Sequence, residues 1–154
     1  YLVFHPFGSV QLFRFNGLFA FGIGEVGRFV FVRQYRPGIA RTCYELCAGV
    51  CEKEDDSPLI SAQRELLEET GYGNGNWQEY MVISPNPSTH TNTTYCFLAT
   101  DVELISSQHL EDTEDLTVHL FTLEEVKQLL LDNEIIQSLH AAPLWKYIAE
   151  QRLT

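Results

Sequence analysis

Glu65, Glu68 and Glu69 stand at spacing i, i+3 and i+4 in the run Arg64-Glu65-Leu66-Leu67-Glu68-Glu69-Thr70-Gly71-Tyr72. On an α-helix, at about 100° per residue, these carboxylates share an arc of roughly 100°. Leu59, Ile60, Leu66 and Leu67 fall on the remaining surface, which can face a core. Like charges at this spacing repel by roughly 0.2–0.5 kcal/mol per pair, so helix stability alone does not select them. A hard divalent cation rewards the cluster, because Mg²⁺ takes oxygen ligands from a few carboxylates together with substrate phosphates. The plainer alternative is a solvated acidic face in which Arg64 and Glu68 form a helical ion pair.

The flanking residues say how such a helix is placed. Ser57 can cap it, and Pro58 suits its first position, where no amide hydrogen is needed. Gly71 supplies a left-handed terminator. A loop containing Glu52, Glu54, Asp55 and Asp56 feeds into its positive end, which tolerates acids.

The segment from Gly49 to Tyr72, GVCEKEDDSPLISAQRELLEETGY, resembles the Nudix box. The second half of the pattern matches at Arg64, Glu65, Leu66, Glu68, Glu69 and Gly71, with Tyr72 in the final apolar slot. The first half departs from it. Counting back from Arg64 puts Asp56 where the family has glutamate and leaves Gly49 one residue early, which reads as a one-residue insertion in the loop. Upstream, Val32-Arg33-Gln34-Tyr35-Arg36-Pro37-Gly38 and Glu45-Leu46-Cys47-Ala48-Gly49 resemble the ADP-ribose/nucleotide-sugar pyrophosphatase branch, with Cys47 where proline is frequent.

The resemblance implies hydrolysis of the diphosphate linkage in ADP-ribose or a related nucleoside diphosphate sugar, with Mg²⁺ as cofactor and Mn²⁺ as its substitute. Charge on both phosphates and on the leaving oxygen is the physical obstacle, and divalent ions neutralise it. Glu65 and Glu69 are the first expected metal ligands and catalytic groups, with Glu68 supporting them and the Ala48 carbonyl adding a further ligand. Arg64 is expected to orient Glu68 or the loop acids. Arg36 is expected to meet a phosphate or terminal sugar through charge-assisted hydrogen bonds, with Arg33 and Glu45 completing the substrate-binding set. A surface ion pair is the alternative role for Arg36. In this branch a later loop often carries the base, which makes Glu111 and Glu114 the candidates; a solvated acidic loop is the alternative for both. Two other functions stay open: a nucleoside triphosphate pyrophosphohydrolase and a non-catalytic nucleotide-sensing domain. Retention of all three helix glutamates and the lack of a basic appendage favour an enzyme over a sensor.

The remaining elements must bring these residues together. Residues 1–16 suggest one or two strands around a Pro6–Gly8 turn. Leu18–Ile23 and Arg28–Tyr35 read as a hairpin joined by Gly24-Glu25-Val26-Gly27. Gly22, Gly24 and Gly27 spell G-x-G-x-x-G, but a β-run follows where a dinucleotide fingerprint needs a helix. A short strand is expected at 43–48, and further strands at Trp77–Ile83, Thr94–Leu104 and Leu116–Phe121. The polar loop 84–92 is a candidate for touching substrate. Thr122-Leu123-Glu124-Glu125 forms a capping box that opens a helix to Leu131. Residues 134–151 read as a terminal helix with a break expected at Pro143. This order predicts an α/β chain, and the resemblance implies a Nudix-type α/β/α sandwich with a mixed β-sheet.

Composition bounds the rest. The 154 residues suit one domain, 1–154, with 45% hydrophobic and 12% aromatic residues. The first residue is Tyr, which leaves room for an N-terminal element ahead of this chain in a longer product. The net charge of −11 argues against nucleic acid held on a basic surface. No apolar run is long enough to span a membrane. Cys43, Cys47, Cys51 and Cys96 form no C-x-x-C pair and suit a reducing cytoplasm. The expected partner is a nucleoside diphosphate-linked small molecule. The branch often dimerises through N-terminal strands, so a homodimer is the assembly the resemblance implies, with the oligomeric state left open. The histidines at 5, 90, 109, 119 and 140 show no metal-ligand spacing.

Overall fold

Apolar side chains alternate along the central strands and go to opposite faces of one sheet. The computed structural model describes residues 2–4, 10–12, 17–51, 54–88, 91–110 and 115–153. β1 (Leu2–Phe4) and β2 (Val10–Leu12) form a small antiparallel pair, and the expected Pro6–Gly8 turn lies outside the described residues. The main sheet contains β3 (Gly17–Gly24), β4 (Phe29–Arg36), β5 (Arg41–Glu45) and β6 (Cys47–Val50). After α1 (Pro58–Thr70) it continues with β7 (Tyr72–Gly73), β8 (Asn76–Ile83), β9 (Thr94–Leu104) and β10 (Leu116–Phe121), before α2 (Leu123–Leu131) and α3 (Ser138–Leu153).

The main path runs β10-β4-β3-β9-β7, with β8 also on β9. β3 and β9 are parallel and the other pairs antiparallel, so the sheet is mixed. Leu18 and Ala20 of β3, Val30 of β4 and Phe97 and Ala99 of β9 pack with Ala62 and Leu66 of α1. Phe21, Phe29, Phe31, Cys96 and Leu98 point the other way, toward Val126 and Leu130 of α2 and Leu144 and Ile148 of α3. Both faces are therefore dry, giving the expected α/β/α sandwich.

β3 and β4 depart from a simple hairpin. They pair only at Ile23↔Phe29, beside a turn in which Val26 and Gly27 have φ of 58° and 71°. Beyond that point β5 lies along β4 and β6 along β3, so the two central strands diverge around a wedge. The single strand expected at 43–48 is accordingly two, broken at Leu46 where the chain changes partner. A β-strand, not a helix, follows the glycines at 22, 24 and 27, which excludes the dinucleotide fingerprint.

Two helix details also differ from expectation. α3 runs through Pro143 without a break. The proline is fully buried in the packing of that helix, which compensates for one missing amide donor. On α1, Ile60 is 45% exposed, and the core face is built from Ala62 and Leu66.

Candidate active site

The acidic helix is bounded as its local chemistry requires. Ser57 Oγ accepts the Ile60 amide hydrogen, Pro58 opens the first turn, and Gly71 closes the helix at φ 76° with its N–H on the Leu67 carbonyl. The helix end is then clamped from outside. The Ile105 and Ser106 amides donate to the Gly71 carbonyl, the His109 amide to the Glu68 carbonyl, and Gln108 Nε2 to the Glu69 carbonyl at 2.8 Å. These bonds satisfy carbonyls that every helix C-terminus leaves without intrahelical partners. Nothing in the helix pattern itself announces Gln108.

Glu65 lies against the backbone of β6. A Cβ on Gly49 would come within 2.3 Å of the Glu65 carboxyl carbon and Oε1, so glycine is needed there for close approach. This sets the Glu65 carboxylate beside the Ala48–Gly49 peptide. Glu69 is 4% exposed, one turn further along α1.

Arg64 gathers the acids around the helix start, as expected. Its guanidinium meets Glu68 Oε2 at 2.9 Å, Asp55 Oδ2 at 3.1 Å and Glu65 Oε1 at 3.1 Å. Burial works against the cation, but Asp55, Glu65 and Glu68 outweigh it and raise the Arg64 pKa. Ser61 Oγ donates to Asp55 at 2.7 Å, and this bond, followed by those from Arg64, holds the Asp55 carboxyl below its ordinary pKa. The loop acid anchored to the helix is therefore Asp55; Asp56 is exposed. Counting forward from Gly49 across five residues reaches Asp55, so the irregularity of the box falls between Asp55 and Arg64 rather than before the acid.

Arg36 and Glu45 meet across the β4–β5 pair. Arg36 Nε and Nη2 donate to the two carboxylate oxygens of Glu45 at 2.8 and 2.5 Å, and Gln34 Nε2 adds a bond at 3.3 Å. Glu45 is 3% exposed, so the pair is a bidentate clamp rooted in the sheet. The Glu45 hydrogen bonds raise the Arg36 pKa against the cost of burial, and the charges of Glu45 and Glu69 add to the effect. A cleft of about 430 Å³ opens here between the β4–β5 turn, Glu45 and Ile136-Gln137.

The other predicted residues are placed differently. Arg33 lies one residue out of phase with Gln34 and Arg36 and faces the opposite side of β4, where its guanidinium sits 5.8 Å from the Tyr44 ring centre. It is not brought to Glu45. Glu111 and Glu114 lie outside the described residues, as does His90 of the 84–92 loop. A larger hollow of about 600 Å³, bordered by Val26, Tyr72, Leu104 and Leu120, lies at the other end of the sheet and holds none of the predicted site residues.

The donor set fits a hard divalent cation in chemistry. Glu65 and Glu69 offer carboxylate oxygens and Ala48 a carbonyl, in a fold where glycine at 49 makes room for the Glu65 carboxylate. Among the described residues no three His, Cys, Asp or Glu side chains form a preformed metal cage. Arg64 meets both Glu65 and Glu68, through Oε1 of the first and Oε2 of the second. Mg²⁺ does not demand such a cage, because it retains waters and binds through one or two carboxylates plus substrate phosphates.

Fold and site together define a three-layer α/β scaffold with an acidic helix and an arginine-bearing cleft. The chain belongs to the Nudix domain family, whose sequence model matches residues 17–141. It is similar to the ADP-ribose pyrophosphatase of Mycobacterium tuberculosis (strain ATCC 25618 / H37Rv), with 26% identity over 130 residues covering 84% of this chain and 63% of that protein. It is also similar to the ADP-ribose pyrophosphatase of Bacillus subtilis (strain 168), with 29% identity over 114 residues covering 73% of this chain and 61% of the relative. The chain thus spans somewhat under two-thirds of the length of these relatives. In three dimensions it matches a crystal structure of ADP compounds hydrolase with a TM-score of 0.79 at 19% identity, covering 92% of this chain and 77% of the other, which establishes the shared fold.

Proposed function

We propose that this chain hydrolyses the diphosphate linkage of ADP-ribose or a related nucleoside diphosphate sugar, giving a nucleoside monophosphate and a sugar phosphate. The observation that carries this reading is the Arg36–Glu45 clamp with its buried carboxylate, in a chain whose helix α1 carries Glu65, Glu68 and Glu69. An arginine fixed by a buried carboxylate presents its remaining edge to an anion without losing orientation. The names of the relatives support the same substrate class.

Mg²⁺, with Mn²⁺ as its substitute, supplies charge neutralisation at the phosphates and lowers the pKa of a bound water. Glu65, Glu69 and the Ala48 carbonyl would hold the cation, with Glu68 in support and Arg64 orienting Glu65 and Glu68. Arg36 orients a phosphate or the terminal sugar, while Glu45 and Gln34 hold Arg36 in place. The proton of the attacking water passes to a carboxylate of the acidic loop, Glu111 or Glu114. Pinning of residues 105–109 to the end of α1 supports this role, since that segment leads into the loop. We further read the chain as one domain that acts in the cytoplasm on a nucleoside diphosphate-linked small molecule, without nucleic acid or membrane, a homodimer being the assembly the family resemblance implies and the oligomeric state staying open.

With Mg²⁺ present, ADP-ribose should yield AMP and ribose 5-phosphate, and Glu69→Gln should lower kcat by about 10² or more. Product analysis over a panel of diphosphates and nucleoside triphosphates identifies the substrate. A folded, Mg²⁺-binding protein that cleaves none of them would refute the proposal.

A further inference from the structure

The β5–β6 junction lies between the Arg36–Glu45 clamp and the backbone beside Glu65. Glu45, just before it, anchors Arg36. Ala48 and Gly49, just after it, lie along Glu65. Leu46 stands between them, fully buried, at the residue where the chain leaves the β4 ladder for the β3 ladder. A residue at such a crossing loses the regular partner for its amide, and a buried amide without a partner is costly. Here the Leu46 N–H donates to Nδ1 of His140 at 2.7 Å, across a sequence separation of 94 residues.

His140 is suited to that bond. Its side chain is 0% exposed, and its own amide is tied to the Gln137 carbonyl at the start of α3. Burial, with the Arg36 cation adding to it, holds its pKa down at about 3, so the ring is neutral at ordinary pH. A neutral imidazole accepting at Nδ1 carries its proton on Nε2. The same stretch is fastened a second time where Arg41 of β5 meets Glu134 at 2.6 Å, and Ile136 and Gln137 border the cleft beside Arg36. None of this was visible in the histidine spacing.

We infer that His140 is a positioning residue: by accepting the Leu46 amide hydrogen it fixes the spacing between the Arg36–Glu45 clamp and the Ala48–Gly49 backbone beside Glu65. This inference rests on the pyrophosphohydrolase reading for its consequence in turnover, but the hydrogen bond and its effect on cation binding are measurable without substrate.

The test compares two polar replacements. His140→Asn can place an acceptor where Nδ1 stands, whereas His140→Gln places its acceptor one bond further out. The Asn variant should stay within about threefold of wild type in kcat/KM, and the Gln variant should fall about tenfold or more. Mn²⁺ titration followed by electron paramagnetic resonance should show weaker binding in the Gln variant only. Hydrogen exchange should quicken at the Leu46 amide there, with the rest of the core unchanged. Equal behaviour of the two variants, or losses in the Gln variant that merely track global unfolding, would overturn the assignment. If neither variant folds, nitrogen-15 spectra of the wild-type ring decide: a proton on Nδ1 refutes the bond, and a proton on Nε2 with a scalar coupling to the Leu46 amide supports it. Failure of the substrate panel alone sinks the functional reading and leaves the binding, exchange and tautomer results to judge His140.

Discussion

At the scale of single residues, the site depends on one missing methyl group. Glu65 reaches β6 because position 49 has no Cβ, and any larger residue must displace the carboxylate. The displaced atoms belong to the end of a flexible side chain, so the fold can absorb the change. Gly49→Ala should therefore cost little stability, about 1 kcal/mol, while moving the carboxylate from the Ala48 carbonyl. The expected outcome is a nearly unchanged melting temperature with kcat/KM down by about 10² and a raised Mg²⁺ requirement. An unaltered Mg²⁺ dependence would remove Glu65 from cation binding. Asp55 shows the complementary case, in which counting along the chain from Arg64 singled out its neighbour Asp56. Acids adjacent in sequence are separated only by where Ser61 and Arg64 stand.

At the scale of elements, α1 works because both of its ends are closed. Ser57 and Pro58 were legible as a start and Gly71 as a stop, since capping is governed by neighbours within a few residues. The external clamp was not legible, because Ile105, Ser106, Gln108 and His109 lie more than thirty residues from the carbonyls they cover. A side chain at Gly71 would meet both penalties. Its φ of 76° is strained for any residue with a Cβ, and that Cβ would press on the Ser106 carbonyl. Gly71→Ala should lose about 1–3 kcal/mol from backbone strain alone. The clash should also loosen the 105–109 segment, so the denaturation midpoint and kcat are both expected to fall. A midpoint equal to wild type would show that the clamp adjusts without cost. The expected β3–β4 hairpin closes at its turn but parts beyond it for a related reason. Its turn and its alternating residues are present, but the wedge that parts the strands comes from residues 41–50.

At the scale of the whole molecule, both faces of the sheet are covered, and α3 joins the site to the far layer through His140. This gives stability a definite dependence on pH. The folded-state pKa of His140 is held near 3 by burial and then by Arg36, against an unfolded value of 6.5. Above 6.5 both states are neutral at this residue and it adds no pH dependence. As pH falls through that value the unfolded chain takes up a proton that the folded chain refuses, so stability declines from about pH 6.5 toward pH 3. His140→Asn should flatten this part of the curve relative to wild type, read as denaturant midpoints across the range. Matching slopes in the two proteins would show that His140 titrates normally in the folded state.

What the sequence determined by itself was whatever depends on short-range pattern: the bounded acidic helix, the capping box at Thr122, the strands at 94–104 and 116–121, and the α/β/α layering implied by the family resemblance. The spacing of Glu65, Glu68 and Glu69 placed three charges on one helical face, and the family came from the resemblance of the Gly49–Tyr72 segment to the Nudix box. Tertiary structure alone decided which acid anchors the loop, that Arg36 is clamped by Glu45 while Arg33 turns away, and that a buried histidine braces the junction between them. Those choices depend on strand partners and distant contacts, which local spacing in a chain does not encode.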